Sequence, residues 1–178
     1  MIYSHTAGLH GLMAILCLAS LVYLFFRKKE ASQNASVQAY YNWFLLYFFY
    51  NFFLVLPLVI FNDLNKFTAI FYATALIFQG AAAWQAFRSS LHVSANKHAV
   101  LFSVLYIIGA TAAAILHFIF FEIPVGSLDG NWVFWYSNQI VSLFFTLFMF
   151  VAGWHFSWQF LKGMWKLEGL IKLRSIFF

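Results

Sequence analysis

Five apolar runs separated by short polar intervals set the rhythm of this chain: residues 6–26, 41–61, 67–87, 99–121 and 132–161. An α-helix rises about 1.5 Å per residue, so about 20 residues cross a hydrocarbon layer roughly 30 Å thick, and each run suffices. The pattern predicts an all-α integral membrane protein, a five-transmembrane-helix bundle over 1–161 followed by a short tail over 162–178. The fifth run exceeds one crossing and is expected to tilt or project past the lipid.

The polar intervals fix an orientation. Arg27, Lys28, Lys29, Arg88, Lys97, Lys162, Lys166, Lys172 and Arg174 fall on one side of a five-crossing plan, and Lys66 alone among the ten basic residues falls on the other, with Asp63, Glu122 and Asp129. Lysine and arginine collect on the cytoplasmic side, so the N-terminus is expected outside and the C-terminus inside, in a bacterial inner membrane. Four or six crossings would scatter the same charges. In the tail, KGMWKLEGLIKLRSIFF, Glu168 and Lys172 stand four apart while Leu167, Leu170 and Ile171 share a face, which predicts an amphipathic helix on the cytoplasmic surface.

Within the spans, smaller patterns suggest faces. Helical steps of four align Gly109, Ala113 and His117 in the fourth run, and Ala75, Gln79, Ala82 and Ala86 make a second small-residue row in the third. The second run is dominated by aromatics, with Trp43, Tyr47, Tyr50 and Asn51 on one face and Pro57 as an expected kink. The segment EIPVGSLDGN, residues 122–131, carries the turn chemistry of an outer loop.

Composition closes off alternatives. Of 178 residues 64% are hydrophobic and 8% charged, where a soluble domain needs about a quarter charged residues to cover its surface. The net charge of +5 belongs to topology and not to nucleic acid, because the cations sit beside apolar runs. Cys17 is the one cysteine, so an intramolecular disulfide, a thiolate cluster and a CxxC redox pair are excluded. The first run lacks a basic leader and cleavage pattern, which predicts a retained helix.

Apart from tyrosine and Cys17, histidine is the only ionisable type left inside the spans, which argues against a pump built on buried carboxylates. His10 and His117 lie at similar depth near the outer leaflet. Each either bonds a carbonyl or hydroxyl near a helix end, or the two act as axial ligands of a b-type haem. His155 is an interfacial residue among Trp154 and Trp158, or pairs with His92 or His98 as an inner site. Tyr47, Tyr50, Asn51, Gln79, Gln139, Ser142 and Thr146 either make interhelical hydrogen bonds or line a pocket for a small neutral ligand or quinone headgroup.

No nucleophile elbow, phosphate-binding loop or HExxH zinc motif is present, so no catalytic residue and no metal site is assigned. Three functions remain open. The first is a non-catalytic subunit or partner-binding module, working with other membrane subunits or as a homo-oligomer. The second is a haem- or quinone-linked electron-transfer subunit, the third a ligand-sensing or permeation bundle.

Overall fold

In the computed structural model, residues 3–31, 35–61, 63–93, 97–135 and 138–165 are described. Among them the apolar runs form five helices, α1 (Ser4–Ala31), α2 (Ala35–Ile60), α3 (Lys66–Val93), α4 (Ala99–Ile119) and α5 (Gln139–Trp165). All five are long and apolar enough to cross a membrane. The amphipathic helix expected in the tail lies, beyond Trp165, outside the described residues.

Helix ends differ from the apolar boundaries for local reasons. The polar stretch after Phe26 does not open into a loop, because Arg, Lys, Glu and Ala are strong helix formers and carry α1 on to Ala31. Asn65 starts α3: its Oδ1 accepts the backbone N–H groups of Phe67 and Thr68 at 2.9 and 3.2 Å. Pro57 is buried and inside α2, which continues to Ile60.

The segment between α4 and α5 is more ordered than turn chemistry alone implies. Two short strands, β1 (Val125–Gly126) and β2 (Val133–Phe134), pair antiparallel. Their tip closes with the Gly130 N–H donating to the Ser127 carbonyl at 2.9 Å, and Gly130 takes the left-handed conformation at φ +69° that other residues resist. The Asp129 carboxylate accepts from the Ser127 hydroxyl and, at 3.2 Å, from the Asn131 backbone N–H. The hairpin also serves α1, whose first N–H groups lack intrahelical partners: the His5 N–H donates to the Asn131 carbonyl at 3.2 Å, and Thr6 Oγ1 accepts the Val133 N–H at 2.9 Å.

In packing order, α1 lies along α2, α2 along α3, and α3 along both α4 and α5, which also touch each other. At one end Ala7, Leu58 and Val133 cluster beside the hairpin; at the other, Leu91, Ala99 and Ala152 cluster near Arg88. Polar ties cross the seams. The Trp84 indole donates to Ser103 Oγ at 2.9 Å between α3 and α4, and the Tyr106 hydroxyl donates to the Phe148 carbonyl at 2.6 Å between α4 and α5. The α2 and α3 seam is aromatic instead, with Phe78 stacked between Phe49 and Phe53 at 5.3 Å from each.

Close approach between α4 and α5 rests on Gly109, where a Cβ would collide with the Phe148 ring. Gly109→Leu is therefore expected to lower stability by about 1–3 kcal/mol through overpacking, whereas Gly11, beside open space, should accept alanine with a gain of up to about 1 kcal/mol. Thermal unfolding in one detergent ranks the pair.

Hydrogen bonds, first from the Ser127 hydroxyl and then from Asn131, hold the Asp129 carboxyl below its ordinary value. The ionised form is thus favoured by the fold, so the contribution is present at neutral pH and is lost as pH falls through the lowered folded value. The melting-temperature gap between the wild type and Asp129→Asn should narrow on acidification below the carboxylate range; a constant gap would contradict it.

Candidate functional site

Two helices that both pack on α3, α2 and α5, do not form a seam with each other, and the space between them holds two cavities. The larger, about 560 Å³, lies toward the Arg88 end. Its floor is the small-residue row of α3, Ala82, Ala83 and Ala86, and its flanks are Trp43, Phe44 and Tyr47 from α2 with Met149, Ala152 and Gly153 from α5. The smaller, about 340 Å³, lies toward the hairpin and is lined by Tyr50, Tyr72, Gln79, His117, Trp135, Ser142, Phe145 and Thr146 among others. Gln79 and Met149 belong to both walls, so the cavities adjoin there.

Among the described residues no Asp, Glu, Lys or Arg lines either cavity, which suits neutral matter. The hairpin-side cavity nonetheless has polar groups with unused capacity. His117, 3% exposed, has its Nδ1 2.9 Å from the Ala113 carbonyl oxygen. A carbonyl only accepts, so Nδ1 carries the proton and the neutral ring keeps a bare Nε2 as an acceptor. Among the described residues the buried Trp135 indole N–H has no partner, although its ring stacks on Tyr72 at 5.2 Å. The Gln79 carboxamide, midway along α3 where the cavities join, makes no hydrogen bond among the described residues either.

The other intramembrane histidines use the same chemistry on other seams. Asn51, 1% exposed, donates from Nδ2 to the Tyr47 carbonyl at 2.8 Å, so its Oδ1 is free to accept from His10 Nδ1 at 2.9 Å. This bond ties α1 to α2. Ser90 donates its hydroxyl proton to the Phe87 carbonyl at 2.7 Å, which leaves His155 Nδ1 to donate to Ser90 Oγ at 2.6 Å. With the serine proton directed at a backbone carbonyl, the pair clamps α3 to α5 and is not arranged as nucleophile and base.

The expected site residues therefore divide. Tyr50, Gln79, Ser142 and Thr146 come together in the hairpin-side cavity, with His117. Tyr47 joins Gln79 in the larger one, Asn51 turns to His10, and Gln139 is exposed at the start of α5. His10 and His117 are not brought together. The first lies on the seam of α1 with α2 and the second on α4 against Phe145, so the residues do not fit one haem held between two histidines. His98 lies exposed at the start of α4 with its ring edge on Phe102; the His92 side chain is outside the described residues. Trp135 and the Ser90 and His155 tie escaped the sequence reading, since neither has a motif and only matching depth along two helices relates the latter.

The chain matches no known family model, no curated protein and no solved structure.

The tie between Asn51 and His10 is a measurable coupling. Asn51→Leu should cost about 0.6–1.7 kcal/mol, the range of interhelical hydrogen bonds in membranes, and His10→Phe should add little once Asn51 is gone. A double-mutant cycle on unfolding in mixed micelles checks it; additive losses would show that the two side chains do not act together.

Proposed function

We propose that this protein is a non-catalytic integral membrane module whose working part is the cleft between α2 and α5, a receptor for a neutral, largely apolar molecule. The observation that carries this reading is the pair of adjoining cavities along α3, free of charged side chains among the described residues and sharing the Gln79 carboxamide, which has no partner among them. Ligand sites are typically concave, of about 300–1,000 Å³, mostly apolar with a few convergent polar groups; the larger cavity answers that description, and the smaller matches it in volume with a more polar wall. In the bilayer the Arg88 end faces the cytoplasm, following the lysine and arginine asymmetry, and lipid covers the exposed aliphatic flanks of α1 and α4.

A short diazirine-bearing alkanol, photoactivated on the protein in nanodiscs, tests the reading. Labelling of Tyr47, Gln79 or Met149 should saturate and should be displaced by excess octanol. Gln79→Leu should weaken the probe about fivefold, the worth of one hydrogen bond near 1 kcal/mol. Labelling that never saturates and falls only on lipid-facing residues such as Ile108 and Leu143 would refute it.

A further inference from the structure

Resting on that reading, we infer that the two cavities form one site for a hydroxyl-bearing neutral amphiphile, its head against Trp135 and His117 and its hydrocarbon chain laid along α3 toward Ser89. Three observations converge. The cavities differ in character, the hairpin-side one walled largely by hydrogen-bonding side chains and the other mainly by alanine, glycine and aromatic carbon, with Gln85, Ser89, Ser90 and Gln159 toward its Arg88 end. They adjoin at Gln79 and Met149, which stand in both walls, so a single molecule occupying both would pass these two side chains. The unused polar groups at the hairpin end are complementary in kind: a buried indole N–H that only donates, and an imidazole Nε2 that, with Nδ1 committed to Ala113, only accepts.

A hydroxyl is the smallest uncharged group that serves both, accepting from the indole and donating its proton to Nε2. A carbonyl or ether head would leave the imidazole unused, and a plain alkane would satisfy neither. An ionised head is disfavoured because neither cavity has a charged side chain among the described residues to pair with it. The arrangement also matches the depth of a lipid. The polar cavity adjoins the hairpin end of the helices, where a headgroup would enter, and the apolar one continues into the bundle beneath it. At Gly153 the space beside the backbone is open, since a Cβ there meets nothing within 4 Å.

The test is competition against the saturable diazirine-alkanol label, using hexadecanol, its methyl ether and hexadecane as competitors. Hexadecanol should displace the label at a concentration about tenfold below that of the ether, the worth of one good hydrogen bond in a dry site, and hexadecane should be weaker still. His117→Phe should abolish the preference for alcohol over ether. Gly153→Leu, which fills the apolar cavity and favours the helix, should weaken hexadecanol about tenfold. Ala86→Phe is a second plug in the same cavity. If the label saturates in the wild type but alcohol and ether compete equally, or if both plugs leave hexadecanol unaffected, the amphiphile inference is overturned and the receptor reading stands. If no saturable label forms, the receptor reading itself has failed.

Discussion

The close approach that α3 permits on three sides is the constraint on which the rest of the fold depends. Lipid tails are as apolar as leucine, so helices in a bilayer gain nothing from burying hydrocarbon against each other and must associate through tight contact and hydrogen bonds. Thr68, Ala69, Ala73, Ala75, Ala82 and Ala83 leave α3 with little side chain beyond its backbone, and all six are buried. That lets α2, α4 and α5 pack against one helix. It also creates the cleft: α2 and α5 lie on the same hub without forming a seam, and where small residues of α3 face neither of them, space remains.

Polar side chains then take two distinct roles according to whether they find a partner in the protein. His10 with Asn51, His155 with Ser90 and Trp84 with Ser103 each close a bond across a seam, satisfying groups that hydrocarbon would penalise. His117 satisfies only one ring nitrogen, within its own helix, and does so in a way that leaves the other exposed to a cavity. Neighbouring residues of one helix show the contrast: Asn51 is consumed by the α1 seam while Tyr50, one position earlier, reaches the cavity on the other side of α2 and touches His10 only edge-on at 6.3 Å.

The five crossings were legible because each apolar run is long enough to settle the matter by itself. Their ends were less so: a polar run such as RKKEA marks the end of hydrocarbon, not of the helix, and strands of two residues are too short to show an alternating pattern. For the cavity, depth along a helix was readable and adjacency was not. Tyr50, Gln79, Ser142 and Thr146 could be grouped by depth and polarity, but the same logic paired His10 with His117, which occupy different seams. Gln139 shows the limit of helical rows, since its row with Ser142 and Thr146 begins before α5 reaches the cavity. Trp135 precedes the helix altogether, and only the folded hairpin carries it to the wall.

The hub arrangement is most directly tested by oxidative cross-linking of paired cysteines in a Cys17→Ser background. A Cβ at Gly80 would stand 4.0 Å from the Ala110 Cβ, within the roughly 3.5–4.5 Å that a disulfide spans, so Gly80→Cys with Ala110→Cys should oxidise readily. Tyr47→Cys with Gly153→Cys, facing one another across the cleft, should remain reduced under the same oxidant and be joined only by a longer bifunctional maleimide. A disulfide between positions 47 and 153 as fast as the one between 80 and 110 would close the cleft and contradict the account.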